Sequence, residues 1–186
     1  RPPAGKPGGG PFFYTAPMTP DWQPTLTGET IELRPMRRED RDGLFAVASD
    51  RLLWEQHPDQ TRYTPAGFDK FFAEGLKSGG ALTIMDRRTG ELLGGSRYAP
   101  HPAAVEIGWT FVARKLWGTG LNGELKQLML AHAFKFVDAV VFVIGPDNMR
   151  SRKAVEKLGA ELLPEGEALS LVRDKRCSVV YRLKKP

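Results

Sequence analysis

Apolar residues recur along this chain of 186 residues with two different periods, and the switches between them lay out the elements. Glu29–Pro35 alternates apolar and polar positions, the pattern of a half-buried strand. Glu39 and Asp40 then open a helix carrying Leu44, Phe45 and Val47. Residues 52–65, with Trp54, His57, Pro58 and Tyr63, keep neither period and read as irregular or briefly helical. A helix follows over Ala66–Lys77, with Phe68, Phe71, Phe72 and Leu76 on one face, and Gly79-Gly80 stops it. Ala81–Asp86, the turn Arg87–Gly90 and Glu91–Ala99 predict a hairpin. Pro100 and Pro102 interrupt before another strand, Ala103–Val112. A glycine-bearing turn leads into a long helix, Gly120–Phe136. Ala139–Gly145 is continuously apolar, as a strand buried on both faces is. Met149–Leu158 predicts a helix ended by Gly159, and the last strands are expected near Ala168–Val172 and Ser178–Leu183.

That order describes an α+β domain, a mixed sheet with one strand–helix–strand crossover in the middle. Residues 1–25 stand apart as a Pro/Gly-rich tail ahead of a single domain over 26–186. In the tail Phe12, Phe13 and Tyr14 are the expected anchors, and Met18 is a candidate start with a vector-derived leader before it.

Composition narrows the picture. Apolar residues at 41% and charged residues at 26% are ordinary for a globular chain. No apolar run approaches the ~20 residues of a membrane span, and no signal-type apolar stretch is visible near the N-terminus. The single cysteine, Cys177, excludes an intrachain disulfide framework, suits a reducing cytoplasm, and is expected to start a strand as a core residue. The net charge of +5 fits either an ordinary basic surface or attraction to something anionic, nucleic acid or a phosphorylated cofactor. The cations are dispersed and no aromatic-interleaved nucleic-acid motif accompanies them, so a small anionic ligand is favoured over nucleic acid. No His, Cys and carboxylate grouping has metal-ligand spacing.

The chemistry concentrates in Ala113–Phe134. A strand ends, a turn holding Gly118 and Gly120 follows, and a helix begins. Glycine lets main chain approach a bulky anion, and the first helical turn offers unpaired N–H groups at a positive dipole end. Together they make a pyrophosphate site, with Arg114 and Lys115 adding charge beside it. It is not a P-loop, since no Gly-Lys-Ser/Thr follows, and it is not a dinucleotide fingerprint, since the third glycine falls at Gly123.

These residues resemble the cofactor motif of the GNAT N-acetyltransferases, Gln/Arg-x-x-Gly-x-Gly/Ala, here Lys115-Leu116-Trp117-Gly118-Thr119-Gly120. The second half of that signature follows the next strand as Asn148-Met149-Arg150-Ser151 and Lys157-Leu158-Gly159-Ala160. Within the superfamily the chain looks like the ribosomal-protein N-terminal acetyltransferase branch, on Leu33-Arg34-Pro35, Glu39-Asp40 and the pattern Trp117, Gly118, Asn122, Glu124, Lys126. The resemblance spans roughly residues 26–183. It implies a mixed, mostly antiparallel sheet of about seven strands flanked by helices.

The resemblance also implies acetyl-CoA as cosubstrate and direct transfer of acetyl to a primary amine, a small molecule or a protein N-terminus. CoA would lie in a split between the strand ending at Val112 and Ala139–Gly145. Main chain at Phe111 and Val112 would pair with the pantetheine arm. The amides of Gly118, Thr119, Gly120, Leu121 and Asn122, beside Lys115 and Trp117, would hold the pyrophosphate, and Asn148 would meet the pantetheine or cap the following helix. Glu106 is the candidate proton acceptor, on a sheet face still to be fixed. Ser151 is the candidate proton donor, because the tyrosine that many relatives use is Val155 here. Trp54 and Tyr63 are expected to shape the acceptor site, His57 to be exposed, and His132 to be structural. A CoA-binding module without catalysis is the alternative function, and oligomeric state stays open, a homodimer being one option.

Overall fold

The computed structural model describes residues 19–172 and 178–186. The calls made for Phe12, Phe13, Tyr14, Met18 and Cys177 therefore lie outside the described residues. Eight strands, β1 (Leu26–Thr27), β2 (Ile31–Pro35), β3 (Ala81–Asp86), β4 (Leu92–Pro100), β5 (Val105–Val112), β6 (Ala139–Ile144), β7 (Glu161–Leu162) and β8 (Val179–Lys184), form one sheet in the order β1-β2-β3-β4-β5-β6-β8-β7. All neighbours are antiparallel except β5 and β6. Five helices flank it: α1 (Arg41–Ala48), α2 (Pro65–Lys77), α3 (Leu121–Ala133), α4 (Met149–Glu156) and α5 (Glu165–Leu171).

Alternation along β6 shows how the layers divide. Val140, Phe142 and Ile144 join Leu121, Leu125 and Met129 of α3 and Val155 of α4 in one core. Val141 faces the other way, with Ala168 of α5. On that second face, Leu44 and Ala48 of α1 and Phe68, Phe71 and Phe72 of α2 pack over Phe111 of β5.

Local chemistry sets the helix starts. The Thr64 hydroxyl accepts from Gly67 N–H and Pro65 occupies the first turn of α2. Ahead of α1, Asp40 accepts from Arg37 N–H at 2.9 Å and from Thr83 Oγ1 at 2.8 Å. It also takes both arms of the Arg34 guanidinium, at 2.8 and 2.6 Å. Those bonds hold the Asp40 carboxyl below its ordinary range against the opposing effect of burial.

Several elements differ from the sequence expectation. Ala168–Val172, expected as a strand, lies mostly in α5. Pro164 sits at its N-cap and Glu165 and Glu167 occupy the first turn, where the dipole favours acids. Its buried positions, Ala168 and Val172, are four apart, and Leu169 between them is exposed. That is a helical period. Two strands are not expected from the sequence, β1 and β7, each of two residues and too short for alternation to reveal it. The long helix also stops earlier than expected: Phe134 caps it, and Phe136 turns back to pack edge-on against Trp22 at 5.6 Å. Trp22 and Asp21, in the expected tail, are anchored there, the Asp21 carbonyl accepting from His132 Nε2 at 2.6 Å. His132 is buried and structural, as expected. No described helix is long and apolar enough to cross a membrane.

Candidate active site

The site grows from a defect in the sheet. β5 bonds to β6 only at Val105 with Val140 and Glu106 with Val141. Beyond Glu106 the two parallel strands part, and among the described residues Ile107–Val112 has no strand partner on that side. Phe111 and Val112, the expected pantetheine partners, bond to Gly95 and Gly94 of β4 on their other edge. Their main chain on the open edge is free for an added extended ligand.

A bulge sits in the same stretch. The β4–β5 register shifts between Gly95 and Arg97, and Trp109 adopts φ 53, the positive-φ exception among described non-glycine residues. Such a backbone costs about 1–3 kcal/mol and persists only when its surroundings hold it. Here both faces do. On the α3 side, Lys126 Nζ donates to Thr110 Oγ1 at 2.9 Å, and Thr110 Oγ1 meets Ser96 Oγ at 2.8 Å. On the α2 side, the Arg97 guanidinium lies 4.5 Å from the Trp109 ring centre.

Glu106 points to the α1/α2 face and is 8% exposed. Its carboxyl folds over Gly108, where an added Cβ would come 2.9 Å from Oε1. Oε2 stands 3.3 Å from His101 Nε2. Burial pushes the Glu106 carboxyl up to about 7, with the Arg97 charge acting in the opposite direction. A buried carboxyl titrating near neutrality at a strand splay is suited to taking a proton.

The phosphate turn follows β5. Gly118 and Gly120 hold φ 79 and 90, with open space around each. Gly123 and Glu124 N–H close on the Gly120 carbonyl. The amides just ahead, from Gly120 to Asn122, therefore have no acceptor within the helix. Leu121 is buried and fixes the start of α3 in the core, while Gly118 and Thr119 are exposed and Asn122 is half-buried. The Thr119 hydroxyl donates to the Leu116 carbonyl at 2.7 Å. Lys115 and Arg114 are already paired, with Glu91 at 2.7 Å and Asp50 at 2.5 Å. Both pairs line a concavity of about 730 Å³ beside α1, so their charge reaches the turn partly neutralised.

Across the splay stands α4. Asn148 Oδ1 accepts from Ser151 N–H at 3.1 Å, so the helix cap claims its oxygen and leaves its amide nitrogen free. Ser151 is half-buried, one turn in, and Val155 belongs to the core. Arg150 stacks on Trp117 at 3.8 Å. Its main-chain N–H donates to Gln56 Oε1 at 3.2 Å. This stack bridges the turn after β5 and the helix after β6, across the mouth of the split.

Trp54 is 3% exposed, its indole N–H donating to the Ala48 carbonyl at 2.7 Å. Tyr63 is half-buried with Arg51 5.9 Å from its ring centre. His57 corrects its expectation: it is not exposed. It packs edge-on against Trp54 at 5.7 Å, its Nδ1 accepts from Asp59 N–H at 2.9 Å, and burial lowers its pKa to about 4. It is a neutral, structural histidine. Arg62, Arg97, His101, Thr110 and Lys126 were not singled out as site residues from sequence, because a charged residue inside an otherwise apolar stretch carries no signal of which face it takes.

The residues present fit a CoA-like ligand: open amides at a glycine turn for a pyrophosphate, an unpaired strand edge for an amide-bearing arm, and a buried carboxyl where the strands part. Among the described residues no group of three or more His, Cys, Asp or Glu could hold a metal ion.

Comparison with known proteins bears on the same point. A comparison with curated proteins finds no match. Among solved structures, the chain is similar to one described as a probable GNAT-family acetyltransferase from Chromobacterium violaceum, at TM-score 0.76 and 20% identity over 98% of this chain and 96% of that one. It is similar to a GCN5-related N-acetyltransferase from Brucella melitensis at TM-score 0.71 and 17% identity, covering 87% of this chain and 79% of that one. Mycobacterium smegmatis RimJ in complex with CoA-disulfide matches at TM-score 0.65 and 18% identity, over 90% of both chains. At these identities the likeness shows the fold. The family model described as an acetyltransferase (GNAT) domain matches residues 30–161. The chain thus belongs to the GNAT acetyltransferases, acyltransferases whose donor is acetyl-CoA.

Proposed function

We propose that this chain binds acetyl-CoA in the β5–β6 split and passes the acetyl group directly to a primary amine held on the α1/α2 face. The observation that carries the reading is the placement of Glu106, a buried carboxyl at the point where β5 and β6 separate. Acetyl-CoA supplies an activated acyl group as its thioester. The protein's own groups do the rest. Amides of Gly118 and of Gly120 to Asn122 bind the pyrophosphate at the positive end of α3, while Thr119 N–H turns back on the Leu116 carbonyl at 3.4 Å. The open edge of Phe111 and Val112 aligns the pantetheine as an added strand. Glu106 accepts the amine's proton, and His101 beside it orients the carboxyl. Ser151, whose hydroxyl stands one turn into α4, returns a proton to the departing sulfur. Leu33-Arg34-Pro35 and Asn148–Ser151 support placement in the ribosomal-protein N-terminal acetyltransferase branch.

The test is thiol release from acetyl-CoA across an amine panel, alongside CoA calorimetry. Gly120→Glu sets a carboxylate into the open space of the turn. It should weaken CoA binding by at least tenfold. Equal affinity in parent and variant would remove the cradle from the argument. CoA binding with no thiol release from any amine would instead favour a binding module.

A further inference from the structure

Among the described residues Arg97 is a buried side chain with an unmet donor. It is 7% exposed, and its Nε has no hydrogen-bond partner. Among the described residues its guanidinium makes no salt bridge. Its contacts are aromatic, with Trp109 at 4.5 Å and Phe71 at 5.9 Å. A buried Nε–H without an acceptor is costly, and such groups are ordinarily found paired. Glu74 and Glu106 lie within electrostatic range without forming an ion pair, and Arg62 opposes them.

Arg62 adds a second guanidinium to the same spot. It lies 4.4 Å from the Phe71 ring centre, with Asp59, 3.4 Å away, as its ion-pair partner among the described residues. Two guanidiniums thus converge on Phe71, on the face where Glu106 sits and beside the half-buried bulge at Gly108 and Trp109. The cavity beside Arg97, walled by Phe71, Gly75, Ser96 and Trp109, measures about 10 Å³ with almost wholly apolar walls, so an anion meets the guanidinium outside it. A planar carboxylate matches the guanidinium fork with two parallel bonds.

We propose that the acceptor is an amine carrying a carboxylate close to its nitrogen, with Arg97, supported by Arg62, binding the carboxylate while Glu106 receives the amine. This deepens the proposed transfer reaction and rests on Glu106 as the proton acceptor. The carboxylate can belong to a free amino acid or to the first side chain of a peptide.

The experiment pairs acids with their isosteric amides in two arms. Free amino acids are set against their α-amides. Peptide amides beginning with Asp or Glu are set against those beginning with Asn or Gln. Each pair is measured by kcat/KM for thiol release and, independently of turnover, by calorimetry on the CoA-loaded protein. The expected result is at least a tenfold preference for the acid in one arm, and the responding arm identifies the source of the carboxylate. In Arg97→Gln that ratio should fall to about one, and Arg97→Lys should retain part of it. Ratios near one, or amides preferred, in both arms of the wild-type protein overturn the proposal, whether or not the variants fold. Because the binding arm needs no chemistry, absent thiol release would count against the transfer reading while acid-selective binding still upheld the subsite.

Discussion

Glu106 and Lys126 reach opposite faces of β5, and both are buried. For Glu106, burial raises the carboxyl to about 7. A base must be deprotonated to act, so kcat/KM should rise with pH through about 7 and then level off. Glu106→Gln should lower kcat/KM by about 100- to 10,000-fold and flatten that limb. An unchanged pH profile in the variant would assign the titration elsewhere. The same shift acts on stability with the opposite sense: the folded form holds the proton more tightly, so this contribution is full below pH ~4.5 and lost as pH rises through about 7. Lys126 is the mirror case. Burial lowers its ammonium to about 7, and its described hydrogen bond goes to Thr110. Its stability contribution is present at high pH and lost as pH falls through about 7. Lys126→Met removes the charged form altogether. Its melting temperature relative to wild type should therefore be higher at pH 6 than at pH 9. A difference that does not vary with pH would show that Lys126 is not carrying a depressed pKa.

Elements tell a different story, because their ends depend on a few local bonds. Helix α4 starts on the Asn148 cap, and Asn148→Ala should cost about 1 kcal/mol in a denaturant titration, while Asn148→Asp keeps the acceptor and most of the stability. If both variants lose CoA affinity but only the alanine loses stability, the free amide nitrogen contacts the ligand and the oxygen makes the cap. This cap was legible in the sequence, as were the glycine turn, the buried strand β6 and the phenylalanine face of α2, because each rests on periodicity or on a residue with one structural use. Ala168–Val172 was not. Its apolar residues satisfy alternation on paper, and only Pro164 with Glu165 and Glu167 tips it to a helix. The bulge at Trp109 was hidden for a related reason: a bulge adds a residue without changing composition, so the alternation along β5 passes through it unseen. With the bulge unseen, the faces taken by Thr110, Trp109 and their neighbours could not be read, and neither could the burial of Arg97 and Lys126 against them.

At the scale of the whole molecule, the sheet is two bodies with a narrow join. β1 to β5 form an antiparallel half, and β6, β8 and β7 form another, and the ladder between them is the two pairings at Val105 and Glu106. The remaining connections include α3, which packs under both halves, and the Arg150–Trp117 stack at the mouth. Cooperative units in proteins follow such joins, so the smaller half should open locally at lower free energy than the larger. A ligand bonded along the open edge of β5 and held at the starts of α3 and α4 would staple the halves. By linkage, CoA at 100 times its Kd adds about 2.7 kcal/mol to the closed form. For a domain of this size that corresponds to roughly 5–11 °C in melting temperature. Native-state hydrogen exchange distinguishes the staple from uniform stabilisation. Without ligand, amides of β6 and β8 should exchange through openings that leave β2 to β4 protected. With CoA the two sets should converge, and Gly120→Glu should prevent the convergence. If every strand exchanges through one common opening with and without CoA, the sheet unfolds as a single body and the split is a binding groove without mechanical consequence.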